Sequence, residues 1–333
     1  MLTKTAVTDD QVAAVLAPVG AVRQVEPLAG GMFATVLRVD LTDGRRVVAK
    51  VTGAAPSRLL RYEHGISGTE AGVYRLAHRA GLPVPAVLHE DGSREHVDGD
   101  VVVTEHVPGV LWSDLDLDPA ATIRVRRELG AVMARLHRIT GDRYGYPAPA
   151  SGLSRTSWPE AFAAMVEAAL ADAERWDVPL PHARLRAAVA AGREVLATIT
   201  TPRLVHADLW PGNILLDPAG DTGHGLAAVL DAERALWGDP VFELVGADQL
   251  GVGAVDPDVL AGYRDAGGDL GLGDGAPGAG DPAAWTRLRL YRAYFACLLV
   301  VEIVPRAYTG DWVEGYAATA RGNLERMLDE LGA

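Results

Sequence analysis

The apolar pattern of this chain changes period at Pro108-Gly109, and that change limits its architecture more than any other feature. Upstream, β-branched residues alternate in short runs. Val22–Pro27, Thr35–Leu41 and Arg46–Val51 read as strands, with Leu41-Thr-Asp-Gly-Arg45 as a hairpin turn between the second and third. Ala86–His89 and Asp100–Glu105 read as two more, joined by a polar hairpin around Asp91-Gly92. A helix over residues 9–18, capped near Thr8, precedes the strands, and another, Gly68–Ala80, stopped by Gly81, Pro83 and Pro85, interrupts them. Downstream, helical spacing dominates. Ile123–Ile139, Trp158–Trp176, Leu185–Thr200, Trp285–Val304 and Trp312–Leu331 are expected helices, and Arg203–Val205, Ile214–Leu216 and Ala227–Leu230 short strands. Residues 262–281, with eight glycines, Pro277 and four aspartates, read as a mobile loop. The pattern predicts an α+β protein with a strand-rich part, residues 1–107, and a larger helical part, residues 110–333.

Composition removes several classes of function. A chain of 333 residues, 49% hydrophobic and 23% charged, is globular and fits two lobes. Its single cysteine, Cys297, lies in an apolar stretch and excludes an internal disulfide or a multi-cysteine zinc site. Asp9 and Asp10 interrupt the N-terminus where a secretory signal needs apolar residues, and the apolar runs fall short of the roughly 20 residues of a membrane span. The expectation is a cytoplasmic protein with no membrane partner. Its 31 basic and 44 acidic residues give a net charge of −13, which argues against nucleic acid as a partner. Residues 1–109 hold 11 basic and 13 acidic residues, so 20 and 31 fall in 110–333. An acidic C-terminal part suits a cationic substrate, and equally a generic solubility charge. Only two of the basic residues are lysine, Lys4 and Lys50. Lys50 ends an apolar strand, where a compact point charge and a guanidinium are not interchangeable.

The segment richest in chemistry is Leu204-Val-His-Ala-Asp-Leu-Trp-Pro-Gly-Asn-Ile-Leu-Leu216. A polar turn between two apolar strands carries an acid, Asp208, and an amide, Asn213, five residues later. This is the H-x-D-x-x-x-x-N pattern of a phosphoryl-transfer loop. Such chemistry needs a carboxylate to take the proton of an attacking hydroxyl and oxygen ligands for Mg²⁺ close by. Val229-Leu-Asp-Ala-Glu233 follows, a strand ending in the acid Asp231. Glu233 is either part of a metal shell or a strand-end residue. His206 reads as a buttress of the loop, and Trp210 as either a loop anchor or a substrate platform.

In this order the residues resemble the aminoglycoside phosphotransferase and choline kinase superfamily. His206-Ala-Asp-Leu-Trp-Pro-Gly-Asn213 is similar to its H-G-D-L-x-x-x-N loop, and Val229-Leu-Asp-Ala-Glu-Arg-Ala-Leu-Trp-Gly-Asp-Pro240 to its metal segment. Leu28-Ala-Gly-Gly31, Gly81-Leu-Pro-Val-Pro85 and Leu129-Gly-Ala-Val-Met-Ala-Arg-Leu-His137 fit the same family. The resemblance implies a bilobal protein-kinase-like fold, with residues 1–107 as the nucleotide-binding lobe, a hinge at about 104–109, and residues 110–333 as the catalytic and acceptor-binding lobe. It implies ATP or GTP with Mg²⁺, and a small-molecule hydroxyl as acceptor. Asp208 is then the catalytic base, and Asn213 and Asp231 the metal ligands. Lys50, in Val47-Val-Ala-Lys50, contacts phosphates, and Glu70 orients it. Gly30 and Gly31 approach phosphates, and Glu105 and Val107 offer backbone groups to a nucleobase. An antibiotic of the aminoglycoside type, or another hydroxylated antibiotic, is the foremost acceptor. An amino alcohol, sugar or glycated amine stays open, as does a non-catalytic nucleotide-binding module. No D-F-G or A-P-E follows the metal strand, which argues against a protein kinase. Ala207 replaces the usual glycine, so ordinary backbone angles are expected there, and Glu243 stands at an expected structural position where an aspartate is usual.

Overall fold

The computed structural model describes residues 4–28, 33–53, 55–217 and 225–333. Its first helix, α1 (Asp9–Leu16), begins in a capping box. Thr8 Oγ1 accepts from the Gln11 amide at 3.3 Å, and the Gln11 side chain accepts from the Thr8 amide at 2.9 Å. Strands β1 (Val22–Pro27), β2 (Thr35–Leu41) and β3 (Arg46–Thr52) follow, then α2 (Ile66–Arg79), β4 (Val87–Asp91) and β5 (Asp100–Glu105). The five strands form one antiparallel sheet in the order β1-β2-β3-β5-β4. Val47, Ala49 and Val51 of β3 turn to one face and pack with Val12, Val15 and Leu16 of α1. Each such valine or leucine contributes roughly 1.5–3 kcal/mol on burial. The alternation leaves Lys50, paired across the sheet with Val36 and Val102, on the opposite face. A one-residue slip of β3 would bury Lys50 under α1, so the apolar pattern that fixes the register also fixes the lysine.

Gly65, with φ 84, admits α2, and Gly81, with φ 70, follows its end. Short strand β6 (Val110–Leu111) leads into the helical part, which continues with α3 (Pro119–Leu136), α4 (Trp158–Arg175), α5 (His182–Ala191), α6 (Arg193–Ala197), β7 (Arg203–Val205), β8 (Ile214–Asp217), β9 (Gly225–Val229), β10 (Leu236–Gly238), α7 (Glu243–Ala247), α8 (Pro257–Asp265), α9 (Pro282–Val301) and α10 (Trp312–Glu330). Strand β8 pairs with β6 on one side and β9 on the other, and β7 pairs with β10. The expected helix Leu185–Thr200 is two helices, α5 and α6, that meet at Gly192. Residues 262–281 are not wholly a loop: α8 occupies the segment to Asp265, started by Asp256, whose Oδ1 accepts from the amides of Asp258 and Val259 at 2.9 and 3.1 Å. Beyond it Leu270 and Leu272 are buried, and the Gly275 carbonyl accepts from the Val255 amide at 2.8 Å, so the segment is packed onto the helices.

The apolar core does not divide at Pro108-Gly109. Tyr62, Val73, Tyr74 and Ala77 of the strand-rich part share one cluster with α3, α4 and α9. Trp158 anchors it, stacked edge-on to Phe242 and Tyr291, with its Nε1 donating to the Tyr291 hydroxyl at 2.7 Å. No helix among the described residues is long and apolar enough to cross a membrane.

Candidate active site

Strands β7 and β8 hold the loop 206–213 between them, and α7 supports it from below. The buried carboxylate of Glu243 accepts from the amides of His206 and Ala207, at 2.9 and 2.8 Å, and contacts His137 Nε2 at 3.1 Å. Burial raises the carboxyl pKa of Glu243, but His137, His206 and these amides outweigh burial and hold it below the usual carboxylate range. Taking two consecutive amides on one carboxylate turns the chain sharply. Ala207 therefore sits at φ 62, in the left-handed region, contrary to the ordinary angles expected of it.

The turn presents Asp208. Asn213 Nδ2 donates to both the Asp208 carbonyl and Oδ2, each at 2.9 Å. Gln249 Nε2 donates to Asp208 Oδ1 at 2.6 Å, and Arg234 Nε stands 3.8 Å from the same oxygen. Burial raises the Asp208 pKa to about 7. Arg234 opposes that rise, whereas the fields of Asp231, Glu233 and Glu302 add to it. His206 is buried, and burial pulls its imidazole pKa down.

Asp231 follows β9 at φ 64, its amide donating to the Tyr74 hydroxyl of α2 at 2.6 Å. The Leu230 amide donates to the Asn213 carbonyl at 2.8 Å, which ties the Asp231 turn to the Asp208 loop. Across the cleft, Lys50 Nζ touches three carboxylates: Asp231 Oδ1 at 2.5 Å, Glu233 Oε2 at 2.9 Å and Glu70 Oε2 at 3.0 Å. Burial alone would lower the lysine pKa, but the three acids hold it well above its ordinary value. Burial lifts Glu70 to about 7 against the pull of Lys50. The same lysine leaves Asp231 below the usual range although burial pushes the other way.

Lys50, Glu70, Asp208, Asn213 and Asp231 are thus gathered around one cleft. At the expected hinge, the Glu105 amide donates to the Ala86 carbonyl at 2.9 Å and the His106 amide to the Arg46 carbonyl at 3.2 Å, with Val107 next in the chain. Gly30 and Gly31 lie outside the described residues. Sequence reasoning missed Gln249, which carries no motif signal, and gave no role to Arg234, although it lies within the Val229–Pro240 segment. Glu233 was left between two roles, and its contact with Lys50 spans 183 positions. Trp210 is 41% exposed and does not anchor the loop by burial.

The donor set fits a magnesium–nucleotide. Asn213 commits its amide nitrogen to Asp208, which leaves Oδ1 as the oxygen it can offer a cation, and the Asp231 side chain is 31% exposed. Mg²⁺ ordinarily takes one or two protein oxygens and completes its shell with phosphates and waters.

Comparison with known proteins gives one consistent picture. The model of a family described as APH, the phosphotransferase enzyme family, matches residues 24–291. A probable ketoamine kinase of Enterococcus faecium is 29% identical over 106 residues, 28% of this chain and 38% of the relative, so the match spans well under half of that protein. A thermostable mutant of the aminoglycoside phosphotransferase APH(4)-Ia, solved with ADP and hygromycin B, superimposes with a TM-score of 0.59 at 20% identity, covering 98% of this chain and 99% of the other. A candidate fructosamine-3-kinase from Thermobifida fusca gives a TM-score of 0.60 at 20% identity, over 96% and 100% of the two chains. These likenesses carry the kinase-like fold, an antiparallel sheet part joined to a helical part.

Proposed function

The chain belongs to the phosphotransferase enzyme family, and from that premise we propose that it moves the γ-phosphoryl group of ATP or GTP to a hydroxyl of a small molecule. The observation that carries this reading is Asp208, a buried carboxylate raised to about 7 and oriented by Asn213 and Gln249. A carboxylate so held accepts a proton near neutral pH. The acceptor oxygen bonds to the γ-phosphorus, the bond from that phosphorus to the β–γ bridging oxygen breaks, and the nucleoside diphosphate leaves. The acceptor proton passes to Asp208. Lys50 contacts the nucleotide phosphates and Glu70 holds its ammonium in place. Glu105 and Val107 would offer backbone groups to the nucleobase, and Gly30-Gly31, outside the described residues, are assigned to the phosphates by the family resemblance alone. Asn213 Oδ1 and Asp231 would hold Mg²⁺, which when bound screens phosphate charge. Positioning and fixed charge supply most of the rate.

Two acceptor classes have support. An antibiotic hydroxyl is favoured by structural neighbours that are aminoglycoside phosphotransferases, some solved with streptomycin, kanamycin or gentamicin. The hydroxyl of a glycated amine is favoured by the ketoamine kinase relative and the fructosamine-3-kinase neighbour. The test is incubation with ATP or GTP, Mg²⁺ and a panel of aminoglycosides, sugars, amino alcohols and glycated amines, with product read by mass spectrometry. Asp208→Ala is expected to lower turnover by at least about 10²-fold. Full turnover in that variant would refute the base, and nucleotide binding without turnover on any acceptor would favour a non-catalytic module.

A further inference from the structure

Four arginines are buried among the described residues: Arg234, Arg287, Arg292 and Arg306. Three are matched to carboxylates, Arg234 and Arg306 to Glu302 and Arg287 to Asp239. Arg292, on α9, is 6% exposed and has no carboxylate within 4.0 Å among the described residues. Its Nη1 donates to the Gly253 carbonyl at 2.9 Å, and its Nε is buried with no acceptor. Burial pulls the guanidinium pKa down. The fields of Asp248 and Glu330 oppose this, and those of Arg289 and Arg326 add to it. A buried cation left this way is held at a cost unless an anion arrives to meet it.

Arg292 is also where two cavities meet. One, of about 400 Å³, is bounded by Leu209 and Pro211 of the loop that carries Asp208, and by Asp248. The other, smaller, is bounded by Asp248 and Gln249, and the latter donates to Asp208 at 2.6 Å. In the larger cavity Arg126 and Asp256 neutralise one another at 3.0 Å. Among the described residues, the charged groups on its wall that form no ion pair within 4.0 Å are Arg292 and Asp248. Although residues 110–333 are acidic in sum, this wall is balanced, and its buried charge is positive.

Resting on the phosphotransferase reading and narrowing its acceptor, we propose that the acceptor is a hydroxylated small molecule bearing a carboxylate, and that Arg292 binds that carboxylate. A planar two-oxygen anion matches the guanidinium fork. Asp248 is the counterpart for an amine on the same molecule, so a sugar-modified amino acid satisfies both. An aminoglycoside, cationic and without a carboxylate, could meet Asp248 but would leave Arg292 without an anion and set further positive charge against it.

Matched acid and amide probes test this by calorimetry without nucleotide: fructosyl-glycine against its glycinamide, and gluconate against gluconamide, with kanamycin as the carboxylate-free cation. The wild-type protein is expected to bind at least one acid about tenfold or more tighter than its amide. Arg292→Gln and Arg292→Met should bring that ratio to about one with nucleotide affinity unchanged, and Arg292→Lys should keep part of it. Arg292→Met should melt no lower than wild type, because it removes a buried charge without a carboxylate partner and gives up one hydrogen bond, to the Gly253 carbonyl. Equal binding of acids and amides, a preference that survives both variants, or failure of every acid to bind while nucleotide binds would each overturn the proposal. Nucleotide binding and product formation report on the kinase reading separately. Their loss with the acid preference intact would sink that reading and leave the Arg292 site standing.

Discussion

Lys50 shows how much one side chain can be asked to do. A single nitrogen meets three carboxylate oxygens, at 2.5, 2.9 and 3.0 Å, one from the helix beside the sheet and two from the turn after β9. An ammonium can do this because it is a compact charge with three donors, whereas a guanidinium is a wider planar fork. Lys50→Arg keeps the charge and breaks the geometry. We expect roughly a hundredfold loss in kcat/KM, the size seen when one fixed donor is removed from a reacting centre, with circular dichroism and melting temperature close to wild type. Wild-type kinetics in this variant would remove Lys50 from the chemistry. Lys50, Asp208, Asn213 and Asp231 were legible because each falls in a short pattern with its own spacing, and Glu70 from its place early in the helix that follows the lysine strand. Gln249 and Arg234 were not, since each reaches Asp208 from outside the loop and only folding supplies the neighbour.

At the scale of elements, the catalytic loop is shaped by α7. Gly246 lies so close beneath it that a Cβ there would collide with the Ala207 carbonyl and the Asp208 amide. Gly246→Ala must therefore push the loop or the helix away, and a displacement of about 1 Å costs on the order of 10²-fold in rate. That loss of kcat, with nucleotide affinity retained, is the expected result. Glu243→Gln is gentler. Gln keeps one acceptor oxygen and replaces the other by a donor, so one of the two loop amides loses its partner, at about 1–3 kcal/mol by urea denaturation at neutral pH. The sign with pH follows from the depressed Glu243 pKa. The carboxylate's contribution is complete above its unfolded value of about 4.3 and is lost as pH falls through the lower folded value. The gap between wild type and variant should then hold at pH 6 and shrink below about pH 4. Most long elements were legible from their apolar spacing, although Leu185–Thr200 is two helices that meet at Gly192. Helix α8 was hidden by the glycines that follow it, although Asp256-Pro257 signals its start. Asp118-Pro119 and Asp281-Pro282 begin α3 and α9 in the same way, with the aspartate accepting from an amide of the first turn at 2.8 and 2.9 Å.

At the scale of the molecule, the two parts that the sequence separates are joined by a buried charge network. Glu302, near the end of α9, takes Arg234 on both oxygens at 2.8 and 2.9 Å, Arg306 at 3.1 Å and the Tyr62 hydroxyl at 2.8 Å. Arg306 pairs in turn with Glu63 and stands 4.9 Å over the ring of Phe33, both from the strand-rich part. Period could not reveal this, because Tyr62 and Glu63 sit in an irregular segment and their partners lie 240 and 243 positions away. Two arginines and two glutamates balance, and burial, which would raise the Glu302 pKa, is outweighed by Arg234 and Arg306. Through Arg234 the network ends 3.8 Å from Asp208, so the cleft's geometry and the joining of its two sides share one set of charges. Arg306→Met would leave Glu63 without a cation and Glu302 with one fewer, and should destabilise the fold by about 3–5 kcal/mol. Adding Glu63→Leu removes the stranded acid, so the double variant should be more stable than Arg306→Met alone. Urea denaturation of the two single variants and the double completes the cycle, with a coupling of about 0.5–3 kcal/mol expected for residues in one network. Strict additivity would mean that Arg306 and Glu63 are neighbours without being partners, and that the joining of the two parts rests on the shared apolar core and the other polar links, such as Lys50 with Asp231.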